Sequence, residues 1–568
     1  MAGPLPVPGA SVQLYAAGAT GNGSAATRLG SAVITDANGA FSFAAGYTCP
    51  FNLSLVYVVA TGGKAGPTGP TNAGIVLTTA LGACNAISGT PAFVVNEVTT
   101  LASAYALQQF FGTGGSIGAS STNFTGLKLA AASAANLVNV ATGTAPGANF
   151  PSTGKAPTSM LNTLANALNA CIVAGPSAAA CTQLYTAATV SGTAPANTLD
   201  AALNIARHPA VNVATLFTLG APASAFTPAL TAAPSDWTMF ATYSGGGMKG
   251  PSALGVDSAG NVRVASYFNR ASYFNNTGTP TIAAGVTDGI LNESYGMVVD
   301  VNDNVWVTDE QTPFAINAGF GAVSVFNSNG ATVSGSTGYA AGGLNFPLAI
   351  AMDTTATAWI VDYGNSHVTL LNNSGTPLSG ATGYTTSQFD FPVAVAVDSK
   401  CYAYVTNQGG NTTTRIAPDG ASFTSFITGG GGSGVAIDAA DNVWVANYFG
   451  SSVGLLSSTQ KIISSGYTGG GIKSPQGIAV DGAGNVWVAN YRGVSITELA
   501  GASATLPGAP LSPAAGFGPD AALLEAFAVA IDASGNLWVT NFGNDTLTEF
   551  IGMAAPVRTP ALGPVTTP

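Results

Sequence analysis

The chain has 568 residues, of which 73 are Gly, only 7% are charged and 47% are apolar, with a formal charge of −11. Against a usual charged share of about 25%, this excludes a disordered polyelectrolyte, a coiled coil and a basic nucleic-acid binder, while the apolar fraction supports packed cores. Residues 1–235 sum to +2 and residues 236–568 to −13, so the C-terminal half repels nucleic acid and anionic membranes; solubility is its plainest consequence, and cationic partners are the other.

No apolar run is long enough for a membrane-spanning helix. The opening MAGPLPVPGA has neither the charged nor the apolar region of a secretory leader, so the protein is expected either to remain inside or to be a processed form. The cysteines favour an oxidising compartment: Cys49 with Cys84 and Cys171 with Cys181 make two candidate disulfides, with Cys401 left over. Small buried hydrophobes are the alternative. No CxxC occurs, so a zinc ribbon or a thioredoxin-type site is not indicated.

Residues 9–60 read as strands. Ala10 to Tyr15 and Ser31 to Thr35 alternate, Asp36 to Gly39 makes a turn before Phe41 and Phe43, and Leu53 to Ala60 follows as a more buried strand. The runs GASVQLY and TDANGAFSF resemble the carboxypeptidase regulatory-like β-sandwich over about 80 residues. That resemblance implies an accessory or adhesive spacer without catalytic residues.

After residue 90 the period becomes helical. Helices are expected at 94–111, 127–141, 159–173, 177–188, 198–206 and 210–219, separated by Gly- and Pro-rich breaks. His208, at a helix end before Pro209, reads as a structural residue near the last carbonyls.

From residue 237 a repeat dominates. An apolar strand ends in Asp257, Asp300, Asp353, Asp398, Asp438, Asp481 and Asp532, at spacings of 43, 53, 45, 40, 43 and 51. Six residues on stand Arg263, Trp306, Trp359, Tyr404, Trp444, Trp487 and Trp538, a packing position. Nine residues on stand Ser266, Asp309, Asp362, Asn407, Asn447, Asn490 and Asn541, always polar and always ending a second strand. The first strands alternate small and large residues, as Gly477-Ile-Ala-Val480 does, which lets neighbouring sheets interdigitate around an axis. Seven such units of strand and turn mean a propeller. Trp237 to Tyr243 is expected to supply its outermost strand, in competition with residues 555–560.

The pattern PxGIAVDxxGNVWVAN resembles the NHL-repeat propellers and their bacterial relatives that include streptogramin lyase, over about 320 residues. Asp353-Thr-Thr-Ala-Thr and Asp398-Ser-Lys-Cys-Tyr depart from it, as does Arg263. Enzymes of the lyase kind, by that resemblance, need a His and Glu pair with a divalent cation. This propeller has only His367, which disfavours such elimination chemistry. Asp300, Asn302 and Asn304 have the oxygen spacing of a calcium loop without its Gly or distal Glu, so a turn is the better reading.

The candidate binding constellation is the polar ring Ser266, Asp309, Asp362, Asn407, Asn447, Asn490 and Asn541 at the propeller mouth; capping of the local turn is the competing role. Together these readings give a mainly β multidomain chain: a β-sandwich over 1–90, an Ala-rich helical domain over 91–235 and a seven-bladed NHL-type propeller over 236–568. The expected function is a non-catalytic, secreted or cell-surface protein that binds glycan or protein, with no cofactor, nucleic acid or integral membrane segment. A variant of it is a self-assembling structural subunit that pairs with further copies through an exposed edge at Leu5 to Tyr15. The rival from another class is a lyase or hydrolase that holds a divalent cation with Asp309, Glu310 and Asp362.

Overall fold

The computed structural model describes residues 1–43, 47–51, 54–87, 92–221, 224–310 and 321–568. The expected boundary at 90/91, and Leu53 at the start of an expected strand, lie outside the described residues.

The N-terminal strands form one five-stranded antiparallel sheet. Its centre is Ser11–Ala16 beside Leu55–Thr61; Val76–Ala83 follows on one side, and Thr27–Arg28 and Val33–Ile34 share the other. Among the described residues this single sheet stands where two packed sheets were expected. The strand over Ser11–Ala16 is paired along both edges, so the expected exposed edge from Leu5 to Tyr15 does not exist there. Two disulfides, Cys49 with Cys84 and Cys171 with Cys181, are formed, and Cys401 is free.

Among the described residues six α-helices follow: α1 (Glu97–Ala106), α2 (Phe124–Leu137), α3 (Thr158–Ala174), α4 (Ala179–Ala187), α5 (Thr198–Arg207) and α6 (Val213–Gly220). Asparagine side chains start three of them: Asn96 accepts from the amide of Thr99, Asn123 from Gly126 and Asn197 from Asp200. Each satisfies an amide that a helix start leaves without an internal partner. His208 ends α5 as expected, its backbone amide donating to the carbonyl of Asn204. Helix α1 lies against Val76–Ala83, where the hydroxyls of Thr100 and Ser103 accept from the amides of Thr78 and Ala80. Leu55, Tyr57 and Val59 of the sheet share one hydrophobic cluster with the helices. No helix among the described residues is long and apolar enough to cross a membrane.

Among the described residues the rest of the chain forms seven small antiparallel sheets in chain order, which gives a mainly β, propeller-like arrangement. The first strands are Pro251–Val256, Met297–Val299, Pro347–Met352, Pro392–Val397, Gly432–Ile437, Pro475–Val480 and Ala526–Ile531. Each packs against the next, and Ala526–Ile531 packs against Pro251–Val256, so the circuit closes. Small residues make that approach feasible. A Cβ on Gly477 would lie 2.7 Å from the carbonyl oxygen of Phe527, and one on Gly434 2.5 Å from that of Gln476.

Phe240–Tyr243 pairs with Thr546–Phe550 and completes the last sheet, and Gly154–Lys155 adds a further short strand to it. The N-terminal strand therefore closes the ring. Residues 555–560 do something the sequence did not announce: they belong to a tail that crosses the base of the ring. Val557 donates to the carbonyl of Asp532, Thr559 to that of Asp257, Gly563 to that of Met352 and Val565 to that of Ile437. The axial space is thus covered at one end by the chain's own tail.

Candidate functional site

Each sheet is held by a polar staple at either end of its second strand. At the base, the repeating Asp accepts from the backbone amides two and four residues on; Asp532, for example, takes those of Ser534 and Asn536 at 2.8 and 3.0 Å. Its other oxygen takes the indole N–H six residues on, at 3.0 Å for Trp306, Trp359, Trp487 and Trp538. Arg263 replaces that donor with a guanidinium, 2.6 Å from Asp257. Asp300 makes the same contacts with Asn302, Asn304 and Trp306, and so forms a turn.

At the other end lie the residues of the expected polar ring. Ser266, Asp309, Asp362, Asn407, Asn447, Asn490 and Asn541 are all at most 1% exposed, and none lines the axial cavity. The side chain takes an amide from the loop that leads into its own sheet: Lys249 donates to Ser266, Asn292 to Asp309, Asn345 to Asp362, Asp390 to Asn407 and Lys473 to Asn490. It also holds the third strand. Asn407 donates to Thr412 and Thr414, Asn541 to Thr546 and Thr548, and Asn490 to Thr497, while Asp362 accepts from Thr369 at 2.7 Å. Asn447 spans Thr428 and Ser452 in the same way. Burial pushes the carboxyl of Asp362 up to about 8, against the hydrogen bonds from Thr369 and Asn345. The structure therefore places this ring inside the sheets.

The residue after each staple is more exposed than the staple itself. This second ring is Tyr267, Glu310, Tyr363, Gln408, Tyr448, Tyr491 and Phe542, all half-buried. Three of its members, Glu310, Tyr363 and Gln408, line a cavity of about 510 Å³ whose other walls are the starts of the first strands, among them Ser252, Tyr295, Ser433, Gln476 and Phe527. Aromatic rings run continuously along half of the rim. Tyr267 meets Tyr295 edge to face at 5.3 Å and Phe542 at 5.9 Å; Phe527 joins Phe542, Tyr295 and Tyr491 at 5.7, 6.2 and 6.1 Å; Tyr491 meets Tyr448 at 5.8 Å. Phe268, Phe391 and Phe449 stand outside it, 49%, 52% and 69% exposed.

The sequence carried a signal for this second ring. The position ten residues after each repeating Asp is large in all seven units and aromatic in five, but the more regular polar neighbour drew attention to the scaffold. In a strand, adjacent residues point opposite ways, so a buried staple implies an outward-facing successor.

Of the acids proposed to hold a cation, only Glu310 reaches the cavity wall; Asp309 and Asp362 are tied to their own sheets. Burial raises the carboxyl of Glu310, and neighbouring Glu293 raises it further. Among the described residues, no three His, Cys, Asp or Glu side chains converge as metal ligands would. His367 lies at the start of a third strand, opposite Asp362 and away from the cavity wall.

No protein-family model matches the chain, and no curated protein matches it. Among solved structures it is similar to virginiamycin B lyase from Staphylococcus aureus, at 16% identity and TM-score 0.42, over 55% of this chain and 98% of that one. A gluconolactonase from Xanthomonas campestris is similar at 12% identity and TM-score 0.34, over 52% and 90%. The extracellular domain of a hybrid two-component system from B. thetaiotaomicron is similar at 14% identity and TM-score 0.37, over 53% and 39%.

Proposed function

We propose that this chain is a non-catalytic binding protein of the cell exterior, secreted or surface-displayed. A seven-bladed propeller of NHL type, over residues 236–568, takes a glycan or protein at its mouth, and the N-terminal sheet and helices, divided near residue 90, carry it. The observation that supports this reading best is the mouth: a cavity of about 510 Å³ walled by half-buried aromatic rings and by Gln408, Gln476, Ser252 and Ser433. Aromatic faces stack on the apolar faces of sugars or peptides, and a few polar groups fix orientation. The two disulfides support the external location. The cation-dependent lyase or hydrolase has less behind it, because two of its three carboxylates serve the scaffold.

Binding of the intact protein to an oligosaccharide and peptide array tests the reading. Wild type is expected to bind a subset, and Tyr295→Ala with Tyr363→Ala to weaken it at least about tenfold, as loss of two stacking faces would, with little change in the unfolding midpoint. Undiminished binding by the double variant, or turnover of the bound sugar, would overturn it.

A further inference from the structure

An open sheet edge offers spare backbone groups to any strand that reaches it, and folds blunt such edges with proline, bulges, interruptions or a covering segment. Among the described residues, six of the seven sheets of the ring carry such a device. In three of them the chain meets the third strand at an isolated bridge, where Pro280 faces Phe274, Thr332 faces Phe326 and Pro510 faces Leu499. It then leaves the edge and returns for one more bridge, at Val286, Tyr339 and Phe517. In the sheet of Pro347–Met352, Pro377 faces Leu371 and the chain returns only as the short strand Tyr384–Thr385. Ile462–Tyr467 follows Lys461 and is bulged against its neighbour. The last sheet is covered by Phe240–Tyr243 and Gly154–Lys155.

The exception is Phe423–Ile427, the outermost strand of the sheet that begins with Pro392–Val397. It pairs with Thr412–Ile416 in unbroken register, and no described strand lies on its other side. Ala417 donates to the carbonyl of Ser422, and Thr428 to that of Asn411. Bonded pairs alternate along an antiparallel ladder, so the amides and carbonyls of Phe423, Ser425 and Ile427 point away from the sheet. Gln388 reaches one of them, donating to the carbonyl of Phe423 at 3.3 Å.

These outward residues are symmetric about Ser425, so an antiparallel copy of the same strand matches them in full. Ser425 then opposes its counterpart, and Phe423 and Ile427 oppose one another, each pair exchanging two hydrogen bonds. The side chain of Ile427, 66% exposed in the single chain, lies against the Phe423 ring of the second copy. Charge favours the same occupant. Residues 236–568 sum to −13, so two copies repel one another over most of that surface. Residues 420–437 carry no charge, however, and residues 442–480, which supply the adjoining outer strand, carry no acid. Asp419, in the turn before the strand, falls at the far end of the pair from its counterpart.

We propose that two copies of this chain join edge to edge through Phe423–Ile427, about a two-fold axis at Ser425, to make one sheet from four strands of each. The contact lies on the outer wall of the ring and needs no ligand at the mouth. Sedimentation velocity of the intact chain over about 1–100 µM tests it. A dimer is expected to form within that range, since a short edge buries less than a standard interface, and to stop at two copies, since the contact is isologous.

Ile427→Pro removes an outward amide, and Ile427→Asp keeps the amide but sets a carboxylate against the ring. Each is expected to weaken the dimer at least about tenfold, with little change in the unfolding midpoint, because the side chain stands in water in the single chain. Should the proline variant unfold, the aspartate variant decides alone. A chain that stays monomeric across the range, assembly beyond two copies, or a dimer that the aspartate variant leaves as tight as wild type would overturn the proposal.

Discussion

At the scale of single residues, the tryptophans do more than pack. The sequence shows five of the six in one register of the repeat, which reads as volume alone; the structure adds that four of them donate to the repeating Asp at 3.0 Å. The fifth differs. Asn442 donates to both oxygens of Asp438, and the indole nitrogen of Trp444 is buried without a partner. This contrast separates hydrogen bonding from packing, because Trp538→Phe and Trp444→Phe remove the same volume from equivalent sites. Trp538→Phe is expected to cost about 1–3 kcal/mol more in urea unfolding, since it leaves an oxygen of Asp532 buried and unmatched, and equal costs would show that the indole contact contributes nothing. The register was legible in the sequence. The bond was not, because apolar spacing reports which side chain is buried and not which atom it touches.

At the scale of elements, legibility followed the clarity of the period. All six helices fall within a few residues of their expected spans, because Gly and Pro breaks bound each apolar stripe and an Asn stands before three of them. Val76–Ala83 was not read as a strand. It lies between the central strand and α1 and its middle is buried on both faces, so its sequence VLTTALGA shows no alternation. The polar ring was read at the right register with two roles, binding at the mouth and capping of the local turn, and its bonds to the preceding loop and the third strand are of the second kind. The bridge between Cys171 in α3 and Cys181 in α4 closes a short helical hairpin. Loop closure in the unfolded chain is worth roughly 3 kcal/mol on the chain-entropy account, so Cys171→Ser with Cys181→Ser is expected to lower stability by about that amount in guanidinium unfolding. A variant as stable as wild type would mean that the packing of α3 on α4 and α6 holds the hairpin unaided.

At the scale of the whole molecule, the helices and the ring are one assembly, joined where α2 meets the last sheet. Glu549 sits fully buried in that joint, with Tyr243 donating to one oxygen at 2.7 Å and Asn536 and Ser133 to the other at 2.7 and 3.2 Å. Asn136 of α2 donates in turn to the hydroxyl of Tyr243 at 3.0 Å. Burial pushes the carboxyl of Glu549 up to about 8, with a further push from Asp532. Burial likewise takes Glu498 to about 8, helped by Asp481, and Asp362 to about 8. In the unfolded chain these groups titrate near 4, so between pH of about 4.5 and 8 the folded protein holds protons that the unfolded chain has released. Stability therefore falls as pH rises through that window and levels off above it. The unfolding midpoint in urea is expected to be higher at pH 5.5 than at pH 8.5. Glu549→Gln, which keeps the shape and removes the proton, is expected to flatten part of that slope and to be no less stable than wild type at pH 8.5. A midpoint that rises with pH over the same range, and that Glu549→Gln flattens, would mean that Glu549 is charged in the joint, stabilised there by its three donors against the cost of burial.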